Sequence, residues 1–418
     1  MAPKDQLRFY AFLLVLAFFL LMTAVVGGHG GASSSGSSLP PTIGVDRIAY
    51  VDIQGQIWSV KSNGSDERKL TRGDAFYTWP TWSPDGYKLV FSGLVRLENG
   101  GRQTNLYLLN TVSGKLRELH QGPPEVTSHA AEGVPHYNYW SPDGKRLAFA
   151  GTAEGPMKLY LDDLTDQYGP ETVFESGPLW MSWSATSRFL IVHRGLDHYL
   201  MDFEKGGLPE PFWVPGGAGY RVPAWMPTAD EVAVVAGGER EGDTLYVTRT
   251  GAKRPDVIDS VPSGAVFSWS PDGEVIAVTR PVTIFRYVPL GLWVYQHVGL
   301  YGANGTEQIV NLRGPIVAFM WSPDSTKLAY VTLTGQRAVL RLYILNVEDG
   351  VTWPLVSFIP SPEQLTVFQF FDQFARSHQL WSPDSSALVL AGTLEDGVVP
   401  DPTDLQQTRS KIVVVSAE

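Results

Sequence analysis

The chain of 418 residues contains no cysteine. That excludes disulfides, thiolate metal sites, cysteine nucleophiles and a lipid-modified cysteine near the N-terminus. Charge is sparse as well: Asp, Glu, Lys and Arg together make 18% of the residues, and no five basic residues stand in a row. The balance is acidic, with a formal charge of -11. An acidic body repels phosphate backbones, which argues against nucleic acid as a partner. No Gly-x-Ser-x-Gly elbow occurs, so the sequence offers no serine hydrolase site of that type. Low charge does not mean disorder here, because 44% of the residues are apolar, enough to build a core.

What is present begins with an apolar run. Lys4 and Arg8 precede Phe9 to Val26, broken only by Thr23. Such a run, as a helix, rises about 27 Å, close to the hydrocarbon thickness of a bilayer. Residues 1–26 are therefore expected to form a signal anchor. A cleaved signal peptide, with Gly30-Gly31-Ala32 as the small-residue site, is the alternative. The positive flank places the N-terminus in the cytoplasm and the body outside it, in the periplasm or at the cell surface, or secreted if cleavage occurs. Residues 27–45 are rich in Gly, Ser and Pro and read as a flexible tether. The body is 46–418.

One unit organises that body. Trp82-Ser83-Pro84-Asp85-Gly86 returns at Trp140 to Gly144 and at Trp269 to Gly273, and with a final Ser at Trp321 to Ser325 and Trp381 to Ser385. Two worn copies start at Trp183 and Trp225. Pro presets φ for a type I turn, Asp bonds backbone N–H groups two residues on, and Gly takes the left-handed position. A short strand follows each turn, and then two more; the first of these two, third in the unit counting the one that ends at the Trp, usually carries an aromatic, as in Asn105-Leu106-Tyr107-Leu108. Successive tryptophans are 58, 43, 42, 44, 52 and 60 residues apart. Four strands on a base period in the low forties predict an all-β chain, a β-propeller of four-stranded blades. Seven motifs, with the extra strands of 46–72 counted as a blade of their own, give eight blades; seven is the alternative. The longer intervals hold insertions at 121–135, 281–291 and 359–379.

The run Trp-Ser-Pro-Asp-Gly-Lys-x-Leu-Ala-Phe, followed by Leu-Tyr-x-x-Asp/Asn-Leu, resembles the TolB-like propeller repeat, also found in the propeller domains of prolyl oligopeptidase-type peptidases. The resemblance covers nearly all of 46–418. It implies protein–protein contact at the cell envelope. Two features depart from TolB: no α/β domain precedes the repeats, and the units exceed the six that TolB implies.

Residues that carry chemistry elsewhere have plain structural roles to weigh against it. His193 and His198, with Asp197 beside them, are candidates for a metal site, but no third ligand has recognisable spacing. His129 and His136 flank an insertion and read as loop polar groups. Asp85, Asp143, Asp272, Asp324 and Asp384 recur with the fold and read as turn caps, as the tryptophans Trp82, Trp140, Trp183, Trp225, Trp269, Trp321 and Trp381 read as wedges between blades. Asp162-Asp163 lacks the spacing of a calcium loop. Asn63-Gly64-Ser65 and Asn304-Gly305-Thr306 match glycosylation sequons at Asn-Gly turns. Two apolar stretches suggest a partner surface: Phe285, Tyr287 and Trp293 in one, Phe368, Phe370 and Phe371 in the other. The expected function is a protein-binding or scaffold module whose partners are envelope or membrane proteins. A small-ligand or hydrolytic propeller with a site at the channel mouth, and a structural subunit of a larger membrane complex, are the alternatives. No catalytic residue, metal or cofactor is expected.

Overall fold

The computed structural model describes residues 47–124, 136–152, 157–165, 169–175, 179–214, 217–218, 222–238, 242–252, 255–261, 265–280, 285–287, 292–303, 308–335, 338–375, 377–394 and 411–417. The expected N-terminal helix and tether lie outside them.

The described residues are mostly strand, as short β-rich runs between turn signals require. Phe76–Trp82, Lys88–Arg96, Arg102–Asn110 and Leu116–Pro124 form one four-stranded sheet in sequence order. Further four-stranded sheets comprise His136–Trp140 to Glu171–Phe174 and Leu179–Trp183 to Pro209–Phe212. Arg47–Val51, Ile57–Lys61 and Arg68–Lys69 make a three-stranded sheet ahead of them. From Phe267 onward the repeats join into one ten-stranded sheet. The first two join because Gln308–Trp321 runs on as a single strand, closing one repeat and opening the next, and the last joins them where Thr352–Pro360 pairs with Ala387–Leu394. Gly314, at φ 142, and Pro315 sit where its pairing register shifts, a place where a strand tolerates both.

The chain divides into two compact units. One takes the residues up to Val60 with Asp66–Asn138 and Phe149–Glu175; the other takes Lys61–Ser65, Tyr139–Ala148 and Ser176–Glu418. In the first, Ile57, Leu70, Tyr77, Leu89, Phe91 and Leu109 form a core. Its rings leave no room for a side chain on Gly93, whose Cβ would lie 2.7 Å from Tyr77. In the second, the largest core runs from Val266 to Ala417, and smaller cores lie around Trp225 and Trp269.

The corners have one construction. The hydroxyl of Ser83 donates to Asp85 Oδ1 at 2.5 Å, that oxygen accepts the N–H of Tyr87 at 3.0 Å, and Ser83 Oγ accepts the N–H of Lys88 at 3.0 Å. Corners at Ser141, Ser270, Ser322 and Ser382 repeat the pattern. Burial opposes ionisation of Asp85, but the bonds donated by Ser83 and Tyr87 outweigh it and hold the carboxyl below its ordinary range. At Asp384 the hydroxyls of Ser382 and Ser386 bring it down to about 2.

The fifth position of the motif separates two designs. Gly273 must be Gly, because a Cβ there would lie 2.4 Å from Thr228 Oγ1. Where Ser stands instead, its hydroxyl reaches back to the preceding corner: Ser187 accepts the N–H of Asp143 at 2.9 Å, Ser325 that of Asp272 at 2.9 Å and Ser385 that of Asp324 at 3.0 Å. Each of these serines holds a left-handed φ near 60° to do so (61°, 64° and 61°). Ser325→Ala is expected to cost about 1–2 kcal/mol, since it orphans the Asp272 N–H and keeps the strain. Ser325→Gly loses the same bond but relieves a strain of about 1 kcal/mol, and is expected to be close to neutral. Urea midpoints of the two variants check this; equal losses would refute it.

The tryptophans form a ladder. The indole N–H of Trp183 donates to the carbonyl of Tyr139, Trp225 to Ser182, Trp269 to Ala224, Trp321 to Ser268 and Trp381 to Met320, at 2.9–3.3 Å. The acceptor is always the residue just before the Trp of the preceding repeat. Trp82, first in the series, has a buried Nε1 with no acceptor among the described residues.

Candidate functional site

Within the second unit, the sheet Leu179–Phe212 carries a row of four rings. Register pairs Trp180 with His193, His193 with His198, and His198 with Phe212, so the row crosses all four strands on one face. His193 lies 5.1 Å from Trp180 and stacks on His198 at 4.7 Å, centroid to centroid. Both histidines are buried. Gly195 O lies 3.0 Å from His193 Nε2, and His198 Nδ1 has no hydrogen-bond partner among the described residues. Burial, and then the neighbouring His193, push His198 down to about 3, so it stays neutral at ordinary pH. Asp197 pairs across the hairpin with Arg194 and is exposed, so it is not a third ligand to the buried pair. Among the described residues, no three His, Asp or Glu stand close enough together to hold a metal.

The end of this sheet is exposed. Leu196, at the tip of the hairpin that joins Phe189–Arg194 to Asp197–Asp202, is 71% exposed. Trp213, which follows Phe212 at that same end, is 65% exposed. Two large apolar side chains in water on one rim, over a packed aromatic row, can bury area against another protein. Sequence reasoning missed this surface. Trp213 lies outside the repeat motif, and that was the one available signal, because every motif Trp is at least half buried.

The two stretches expected to form a partner surface fare differently. Phe368 and Phe371 are buried, 0% and 4% exposed, and cannot form a surface. Their insertion is helical: Pro362–Gln369, with Ser361 capping its N-terminus at 3.2 Å, followed by Phe371–Phe374. Phe371 packs edge-on to Phe319 at 4.9 Å, and Phe368 edge-on to Phe358 at 6.2 Å. Phe370, between the helices, is half-buried. In the other stretch, Trp293 is 36% exposed, while Leu292 and Val294 beside it are fully buried, the alternation expected of a strand with one wet face. Phe285–Tyr287 pairs with that strand, Arg286 opposite Trp293; the side chains of Phe285 and Tyr287 lie outside what is described.

The remaining candidates serve turns. Asp162 Oδ1 accepts the N–H of Leu164 at 2.6 Å, and Asp163 Oδ1 that of Thr165 at 3.0 Å. Asn63 Oδ1 accepts the N–H of Ser65 at 2.9 Å. His129, Asn304 and the side chain of His136 lie outside what is described.

No protein-family model matches the chain. Solved structures do. An oligogalacturonate lyase, solved in complex with manganese, matches with a TM-score of 0.51 at 15% identity, over 92% of this chain and 98% of that one. A prolyl endopeptidase matches with a TM-score of 0.52 at 14% identity, over 86% of this chain and 53% of that one. TolB from Acinetobacter baumannii is a looser match, with a TM-score of 0.38 at 15% identity, over 62% of each chain. The chain thus spans under two thirds of the length of TolB and about half of the prolyl endopeptidase. Identities this low show fold alone. The lyase and peptidase matches, with the sheets described above, place the body in the propeller fold class.

Proposed function

We propose that the chain is an extracytoplasmic, membrane-tethered β-propeller of eight blades that acts as a protein-binding or scaffold module of the cell envelope. The observation that carries this reading is the exposed apolar rim of Leu196 and Trp213. The anchor-like run Phe9 to Val26 and the Gly/Ser tether support the membrane part, since they let the body reach partners at a bilayer without a set orientation. The partners are envelope or membrane proteins that present a complementary apolar surface.

The test is affinity purification of the full chain from solubilised membranes, beside the double variant Leu196→Asp/Trp213→Asp. The wild type is expected to bring down a stoichiometric partner, and the variant to lose it while its thermal midpoint stays within about 2 °C, as for other exposed sites. Recovery of the wild-type protein alone overturns the reading. Retention in the membrane pellet after a carbonate wash checks the anchor.

A further inference from the structure

The chain enters the first unit at one particular end. Arg47 opens the first strand, so it stands at the end away from the turn 52–56, which leads to the second strand. That turn lies against the start of the next sheet: Gly55 O accepts the N–H of Tyr77 at 2.7 Å, and a Cβ on Gly55 would fall 2.3 Å from the Phe76 ring. Phe76 opens the strand Phe76–Trp82, and Trp82 closes it at the Ser83 corner. Ala49, Val51 and Trp82 pack on one core, and the strands of packed sheets run within about 30° of each other. Arg47 therefore stands at the corner end.

Three large side chains are exposed at that end. Tyr87 follows the corner, Val112 lies in the hairpin between Arg102–Asn110 and Leu116–Pro124, and Leu116 begins the outer strand; they are 38%, 38% and 46% exposed. Thr111, beside Val112, ties corner to hairpin: its N–H and its hydroxyl donate to the Tyr87 carbonyl, at 2.9 and 2.8 Å. Lys88 and Lys115 stand next to these side chains in sequence, and with Arg47 and Arg68 they offset Asp66, Glu67 and Asp85. This end thus escapes the acidic balance of a chain whose formal charge is -11. An aromatic ring, two aliphatic side chains and lysines with long apolar stems form a composition that settles in the headgroup layer of a bilayer.

About 20 residues separate Val26, the last of the apolar run, from Arg47, and a Gly/Ser-rich stretch of that length has a mean reach of about 25 Å. A tether that short keeps the corner end at an effective concentration on the order of millimolar, so weak contacts with the bilayer suffice. Ile53 and Phe76 are exposed at the other end, 73% and 37%. That end lies farther from the entry by the length of a strand, about 23 Å for the 7 residues of Phe76–Trp82.

We infer that the corner end of the first unit is a membrane-facing surface, which rests on the bilayer that anchors the chain with Tyr87, Val112 and Leu116 in its headgroup layer. The inference depends on the anchor reading above. The tether alone sets no orientation; this surface supplies one.

The absence of cysteine makes single-site labelling direct. Val112→Cys, Tyr87→Cys and Ile53→Cys, each in the full chain, carry a fluorophore that nitroxide lipids quench at the bilayer surface. The vesicles are phosphatidylcholine, with or without phosphatidylglycerol. Labels at Val112→Cys and Tyr87→Cys are expected to be quenched about threefold more than the label at Ile53→Cys, as befits side chains about 5–10 Å deep in the interface. Adding Leu116→Asp to the Val112→Cys chain is expected to bring its quenching toward the Ile53→Cys value. Quenching in both kinds of vesicle assigns the contact to the apolar side chains, and quenching only with phosphatidylglycerol assigns it to the lysines. Two labelled positions keep the test open if one variant folds poorly. Flotation of the same samples with the vesicles reports the anchor separately. Chains that float with all three labels equally quenched overturn the membrane-facing surface and leave the anchor standing; a protein occupant of this end gives that same result. Chains that do not float overturn the anchor, and the surface with it.

Discussion

Trp225→Ala is expected to destabilise the protein by about 3–5 kcal/mol, the range for deleting a buried large aromatic. Trp225 is fully buried, its ring stacks on Phe189 at 5.6 Å, and its indole N–H donates to the carbonyl of Ser182 at 2.9 Å. Ile191, Val214, Val232, Val234 and Ala236 pack around it. Alanine leaves a cavity and also orphans that carbonyl. Trp225→Phe separates the two losses. It keeps most of the apolar contact and loses the hydrogen bond, so about 1–3 kcal/mol is expected. Trp213→Ala is the control, since a side chain 65% exposed should cost no more than about 0.5 kcal/mol. Urea denaturation followed by circular dichroism ranks the three variants. If Trp225→Ala costs as little as Trp213→Ala, the ladder of indole bonds contributes nothing to stability.

Acidification is expected to weaken the fold well above the pH at which ordinary carboxylates protonate. The folded protein holds His198 neutral down to about 3, whereas an unfolded histidine takes its proton near 6.5. Between those values the unfolded chain binds the extra proton, so stability is whole above about pH 6.5 and falls as pH drops toward 3. At about 1.4 kcal/mol per pH unit, the gap caps the contribution of His198 at about 5 kcal/mol. His378, which burial brings down to about 4, acts in the same direction over the upper part of that window. His120 does so as well, lowered by burial against the opposing pull of Glu118. The depressed Asp384 also loses stability in acid, but in a lower window, between its ordinary value and about 2. Urea midpoints from pH 8 to pH 4 measure the slope. His198→Phe, which can continue the row from Trp180 to Phe212, should flatten it. A wild-type midpoint that stays level from pH 7 to pH 4.5 rules the account out.

Much of the fold was legible because the repeat works over short distances. Ser83, Asp85 and Lys88 satisfy one another within six residues, so Trp-Ser-Pro-Asp-Gly declares a corner wherever it occurs. The helix Pro362–Gln369 carries a local signal too, since Ser361 followed by Pro362 is a helix start, although the phenylalanines crowded around it read as a surface patch. The rim was legible only in part, since nothing near Leu196 says that Trp213 ends up on the same edge.

By itself, then, the sequence determined the all-β class, the corner, the period and the tryptophan at the end of each inner strand. These depend on turn chemistry and alternation among residues two to six apart. Tertiary structure alone decided which aromatics are core and which are surface. Phe371 is buried by Phe319, 52 positions away, while Trp213 finds no such neighbour among the described residues and stays exposed. It also decided that a serine at the fifth position ties its corner to the one before, and that a slip between two strands opens a groove beside His297. Burial and register are sums over strands distant in the chain, and no local run of residues contains them.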